Sequence, residues 1–292
     1  TKKQSARFVD KYSTLLVNWY RPNIYLKQLL RYIDKRNYGN QTTKIKKVKM
    51  IEYQQKNYFR GIRMNKQLEP NKKHLILDMD GTFYLGDQLL EGSLEFLEKV
   101  EAAGKQFLFF TNNSSKSRQV YLKKLAGMGC HIEENQLLTS GMVTIHYIKK
   151  TWQNPKIYLL GTPALEQDFE NNGIQLTDTH PDAVVVGFDT TLTYEKLEKA
   201  CTLIRSQVPF LATHPDNNCP TEFGYIPDCG AMCAFITQST GMLPQYLGKP
   251  YKETMDYITN YLDCTRDELV FVGDRLYTDI AIGAKHGATS VL

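Results

Sequence analysis

Two aspartates separated by one residue, Asp78 and Asp80, follow the apolar run Leu75-Ile76-Leu77 and precede Gly81-Thr82. An extended chain sends alternate side chains to the same face, so both carboxylates point one way and Met79 the other. Two such charges repel unless a cation, or a proton on one of them, relieves them. A hard divalent ion with oxygen ligands, Mg²⁺ above all, suits the pair. Three further groupings could share the work: Thr111-Asn112-Asn113, Lys249 before Pro250, and Asp274 with Asp279. Carboxylates, a hydroxyl, amides and an ammonium are what phosphoryl transfer needs. A cation must screen the phosphate from an attacking carboxylate, and positive donors must hold its equatorial oxygens.

These residues need elements to bring them together. Leu75–Leu77, Phe107–Phe110 and Leu269–Val272 read as short buried strands, each ending directly in one of the groupings. In a parallel sheet those three ends meet at one edge, which is where open α/β sheets hold ligands. Between the strands lie helical patterns at Ser93–Ala103, Ser117–Ala126, Val143–Lys149, Lys252–Leu262 and Ile280–His286, with Phe83–Leu90 as a small hairpin or flap. A second α/β unit begins near Trp152: strands at Lys156–Leu160, Ala183–Val186 and Pro209–Ala212 alternate with helices at Ala164–Asn171 and Tyr194–Ser206. The stretch His214–Ala231 reads as one long loop rich in Pro, Asn and Gly, and loops of that length are usually functional or disordered. The expected fold is therefore α/β, a Rossmann-like doubly wound parallel sheet core with an inserted α/β cap domain. Expected boundaries are 71–151 and 244–292 for the core, 152–243 for the insert, and 1–70 for a basic extension.

The net charge of +5 conceals a division. Residues 1–70 carry 17 Lys and Arg against 4 Asp and Glu, and the remainder carries 19 against 27. A basic arm on an acidic globular body follows. Phe8, Tyr12, Leu15, Leu16 and Trp19, then Leu26, Leu29, Leu30 and Ile33, have helical spacing interrupted at Pro22; residues 37–73 are polar and lysine-rich. Such an arm suits an anionic membrane or a nucleic acid, but a partly disordered segment, or an upstream extension before Met50 or Met64, accounts for it as well. No run of 18 apolar residues spans a membrane, and no signal-peptide core opens the chain. Six cysteines without a C-x-x-C pair read as the reduced thiols of a cytoplasmic protein. His131, His146 and His286 do not cluster, whereas His214 sits in the long loop. No Walker, dinucleotide or H-E-x-x-H motif is present, which removes nucleotide-driven motors, dinucleotide enzymes and zincins.

The four groupings, in this order, resemble the motifs of the haloacid dehalogenase (HAD) superfamily. More closely, Thr111–Arg118, Val184–Asp189, Leu192–Leu197, Cys219–Glu222 and Val272–Ile280 are similar to its NagD-like, or p-nitrophenyl phosphatase-like, branch over about His74–Leu292. The resemblance implies that Asp78 is a nucleophile and Asp80 a general acid and base. It implies Mg²⁺ held by Asp78, the backbone carbonyl of Asp80 and Asp274, with Asp279 orienting water on the ion. Thr111, Asn112 and Asn113 would hold the phosphate and Lys249 would neutralise it. The insert would close over the site, and His214, Asp216 and Asn217 would set specificity. Family members often have Asn-Pro-Asp where this chain has His214-Pro215-Asp216, and Gly-Ala-Gly where it has Asp228-Cys229-Gly230. Relatives continue past Ser290-Val291-Leu292 with one more strand and a helix, so the core would be C-terminally truncated. The implied activity is hydrolysis of a small phosphorylated metabolite, because an ester oxygen leaving needs the proton that Asp80 can give. Alternatives are phosphotransfer to an acceptor other than water, or a weakly active core tethered by the basic arm. A homodimer is compatible with either.

Overall fold

Strand β1 (His74–Leu77) has an apolar residue at every position after the first and is buried on both sides, so it can only sit in the middle of a sheet. The computed structural model describes residues 69–221 and 223–292. Expectations for the basic arm fall almost wholly outside these residues. β1 pairs in parallel with β4 (Gln106–Thr111) on one side and β13 (Leu269–Val272) on the other. β5 (Leu137–Thr139) extends the sheet beyond β4, and β14 (Thr289–Val291) extends it beyond β13, giving the order β14-β13-β1-β4-β5. The winding reverses at β1, so the crevice between the ends of β1 and β13 is the topological switch point. A two-stranded flap, β2 (Tyr84–Leu85) and β3 (Gln88–Leu89), follows the aspartates as expected.

Between β5 and the return to this sheet the chain builds a second parallel sheet. Its strands β6 (Lys156–Leu160), β7 (Gln175–Leu176), β8 (Ala183–Val186), β9 (Phe210–Ala212) and β12 (Gln245–Tyr246) run in the order β12-β9-β8-β6-β7. It thus reaches Tyr246, past the expected boundary at 243. Ala183 and Val185 face one apolar cluster while Val184 and Val186 face another, the pattern of a strand covered on both sides. Helix α1 (Ser93–Ala102), α2 (Arg118–Gly127) and α3 (Ser140–Thr151) belong to the first half. Ser117 and Thr139 cap α2 and α3 with side-chain oxygens, as Ser and Thr do at helix starts. Helices α4 (Pro163–Asn171) and α5 (Tyr194–Arg205) start on Thr162 and Thr193 in the same way.

The stretch expected to be one long loop is largely ordered. It contains the hairpin β10 (Asn218–Thr221) and β11 (Gly224–Pro227), and its last three residues begin α6 (Cys229–Thr240), capped by Asp228 and stopped by Gly241. Helix α7 (Lys252–Leu262) returns to the first sheet, and α8 (Ala281–His286) follows a π-turn at Leu276–Ile280.

One apolar cluster runs through both halves. It joins Ile76, Phe110 and Phe271 of the first sheet to Leu159, Val185 and Leu211 of the second through Ile145, Leu165 and Met255 on helices between them. All six cysteines are free, and five are buried. No helix among the described residues is long and apolar enough to cross a membrane.

Candidate active site

Asp78 is the first residue past β1, and its backbone N–H bonds the Val272 carbonyl at 2.8 Å, which brings it beside the loop that follows β13. There, oxygens of Asp78, Asp274 and Asp279 lie within 4.8 Å of one another. Lys249 enters from the segment before α7. Its Nζ is 2.7 Å from Asp78 Oδ1 and 2.6 Å from Asp279 Oδ1, and it donates to the Phe110 carbonyl at 3.1 Å. The side chain is buried, and burial alone would push the ammonium down. Asp279 and Asp78 outweigh that and hold it up, so Lys249 stays charged.

One ammonium against three carboxylates leaves a negative surplus. A hard dication with oxygen ligands would relieve it, and the donor set is of that kind. Partial burial, then the Asp78 charge, pushes Asp274 up to about 6, the sign of a crowded site. Backbone fits the cluster closely. Gly81 has φ +91°, and a Cβ there would lie 2.9 Å from Asp274 Oδ2; a Cβ on Gly273 would lie 2.3 Å from Asp279 Cγ.

Asp80 is two residues on, and its side chain is not one of the three clustered donors. Burial, then the Asp78 charge, raises its carboxyl, and its Oδ2 is buried without a hydrogen-bond partner. A carboxyl so placed favours the protonated form, which is the state a general acid needs.

Asn112 ties the pieces together. Its Oδ1 accepts the Lys249 N–H at 2.9 Å, while its Nδ2 donates to the Lys249 carbonyl at 3.1 Å and to Asp216 Oδ2 at 3.0 Å. Thr111 Oγ1 accepts the Asn113 N–H at 3.1 Å, and Asn113 Oδ1 accepts the Ser115 N–H at 3.0 Å. The phosphate is expected at Thr111, Asn112 and Asn113; the Asn112 side chain is bonded to Lys249 and Asp216.

Against these loops lies a second wall, built from the segment after β9, the β10–β11 hairpin and the cap of α6. A narrow cavity lies between, lined by Asp78, Asp80, Thr111 and Lys249 on one side and Asp216, Cys219, Pro220 and Asp228 on the other. Asp216 Oδ1 is ion-paired with Arg275 Nη1 at 3.0 Å. Behind it, His214 is wholly buried, with Nδ1 3.4 Å from Asp216 Oδ2 and Nε2 3.4 Å from Asp228 Oδ1, ion-pair separations whose angles fall short of hydrogen bonds. Burial alone would strip the imidazole of its proton, but Asp228, the Cys229 thiol and Asp216 hold it up at about 9. Burial would likewise raise Asp216, yet His214, Arg275 and Asn112 keep it well below the usual carboxylate range. Asp228 is raised by burial, with His214 and the Cys229 N–H opposing.

The haloacid dehalogenase-like hydrolase profile matches residues 75–175, and a HAD-hydrolase-like profile matches 246–292. A 5'-nucleotidase, YutF, of Bacillus subtilis is 34% identical over 220 residues, which is 75% of this chain and 86% of that protein. The chain belongs to the haloacid dehalogenase-like hydrolases. Within them it falls in the NagD-like branch. A solved NagD protein superposes with TM-score 0.75 at 46% identity, covering 77% of this chain and 89% of that one. The 4-nitrophenylphosphatase of Thermotoga maritima superposes with TM-score 0.73 at 46% identity, covering 76% and 85%.

In this hydrolase the expected residues from four separated segments meet: Asp78, Asp80, Thr111, Asn112, Asn113 and Lys249 all line the cavity, and Asp274 and Asp279 join Asp78. The three residues expected to set specificity divide. Asp216 lines the cavity, His214 lies behind the wall, and Asn217 is exposed and outside the lining. His214 is out of reach because its ring fills the space between two buried carboxylates. Sequence reasoning missed Arg275 and Asp228. An arginine directly after Asp274 was a signal for the first; for the second, the departure at Asp228-Cys229-Gly230 was the only mark.

Proposed function

We propose that this hydrolase is a Mg²⁺-dependent phosphatase that cleaves a small phosphate monoester through an aspartyl-phosphate on Asp78. The observation that carries the reading is Lys249 Nζ held between Asp78 and Asp279, with Asp274 completing three carboxylates within 4.8 Å. Asp78 and Asp274, with the Asp80 carbonyl, would hold Mg²⁺, with Asp279 beside them to orient water on it; the ion when bound would neutralise the phosphoryl oxygens. The Asp78 carboxylate attacks phosphorus as the ester P–O bond breaks. Asp80, whose carboxyl burial and the Asp78 charge push toward the protonated form, gives its proton to the departing oxygen. Water then attacks the aspartyl-phosphate, Asp80 takes its proton, and phosphate leaves. Lys249 offsets charge on the nucleophile and the phosphoryl group, with Thr111 and Asn113 beside it. Asn112 acts through Lys249 rather than on the phosphate. The inserted residues, 152–246, serve as the cap that excludes water from the cavity. The named activities of the relatives, a 5'-nucleotidase and a 4-nitrophenylphosphatase, support a monoester substrate.

The test is 4-nitrophenyl phosphate hydrolysis with Mg²⁺ and with chelator. Turnover should require the ion. Asp78→Asn should lose at least about a thousandfold while keeping its circular dichroism spectrum. Turnover unchanged in that variant would remove Asp78 as nucleophile.

A further inference from the structure

The wall contributed by the β10–β11 hairpin and its flanks has a definite chemistry. Asp216 Oδ2 accepts from Asn112 Nδ2, and its Oδ1, which accepts no hydrogen bond, is buried in an ion pair with Arg275. Arg275, the cation besides Lys249 that lines the cavity, is spoken for by Asp216 and by the Asn218 carbonyl at 3.4 Å. The Cys219 thiol contacts Asn113 Nδ2 at 3.8 Å and the Pro220 carbonyl at 3.7 Å, and Pro220 has no N–H to offer. Asp228 differs. Its Oδ1 accepts the Cys229 N–H at 2.6 Å and faces His214, which fixes the carboxylate at the start of α6. Among the described residues nothing donates to Oδ2, although the residue lines the cavity.

Resting on the phosphatase reading above, we infer that Asp228 is a specificity-determining residue, selecting monoesters whose leaving group carries hydroxyl donors and rejecting those whose leaving group carries a carboxylate. With the phosphoryl group held by the Asp78–Lys249 side, the leaving group must turn toward the opposite wall. There it meets the open Asp228 Oδ2, and the two cations that line the cavity, Lys249 and Arg275, are already paired with carboxylates. A hydroxyl can donate to that acceptor. A carboxylate is placed against a like charge with no free counter-ion, an arrangement that lowers affinity for the wrong partner.

The experiment compares kcat/KM for glycerol 1-phosphate and 2-phosphoglycolate with the full chain and saturating Mg²⁺, at about pH 8. The expected preference for the glycerol ester is about tenfold or more. Asp228→Asn keeps the size and removes the charge, and Asp228→Ser keeps a helix-capping oxygen. In both, the preference should fall by about tenfold, chiefly through faster turnover of the glycolate ester. No preference in the parent enzyme, or a preference unchanged in both variants, overturns the inference and leaves the phosphatase reading standing. An enzyme inert toward these esters and toward 4-nitrophenyl phosphate overturns both.

Discussion

Lys249→Met removes one charge from a buried triad while nearly keeping the volume. Two contacts are lost, at 2.7 Å to Asp78 and 2.6 Å to Asp279. At an effective dielectric of about 20, each is a gross attraction of about 6 kcal/mol. Desolvating the ions offsets several kcal/mol apiece, so breaking the arrangement from one side should cost about 3–5 kcal/mol, because two buried carboxylates are left facing each other. For a folded unit of this size, each kcal/mol moves Tm by about 2–4 °C, so the variant should melt about 10 °C lower in chelator. Millimolar Mg²⁺ should narrow the gap, since a dication at the same carboxylates replaces part of the missing charge. Thermal unfolding in EDTA and in Mg²⁺, followed by circular dichroism, reads both numbers. A variant within about 2 °C of the parent in EDTA would show that the lysine is not holding the carboxylates together.

His214 makes stability depend on pH. Its folded pKa is about 9 against an ordinary 6.5, so the stabilisation is complete below about pH 6.5 and is lost as pH rises through 9. The whole effect is about 3 kcal/mol. Urea unfolding of the parent should therefore weaken between about pH 6.5 and 9.5 relative to His214→Gln, and parallel curves would discount the buried imidazolium. Gly81→Ala places a methyl 2.9 Å from Asp274 Oδ2 at φ +91°. It should cost about 1–3 kcal/mol and raise the Mg²⁺ concentration for half-maximal turnover; an unchanged metal titration would mean that Asp274 tolerates the intrusion.

The parts of this molecule that could be read in its sequence are those where one residue type has one physical meaning. Leu75–Leu77 and Leu269–Val272 can be little but buried strands, and a carboxylate after each must face the same edge. That logic places Asp78 beside Asp274. The helix Cys229–Thr240 escaped because it holds no charged residue to mark a wet face. The hairpin before it escaped because Pro220 and Pro227 argue against strands except at edges, which is where they lie. Depth was also illegible. His214, Asp216 and Asn217 are near neighbours in the chain, yet one is sealed behind the wall, one lines the cavity and one faces solvent. The Arg275–Asp216 pair depends on how two sheets meet, which no local pattern encodes.

The clasp between Asn112 and both backbone polar groups of Lys249 has the form of a base pair. Two loops far apart in the sequence are thereby registered to each other by one amide, much as a key sets the angle of a wheel on a shaft. Exchanging either loop with a homologue would scramble the nucleophile's surroundings unless the other travelled with it. The two make a single heritable cassette, and chimeras should be cut outside it.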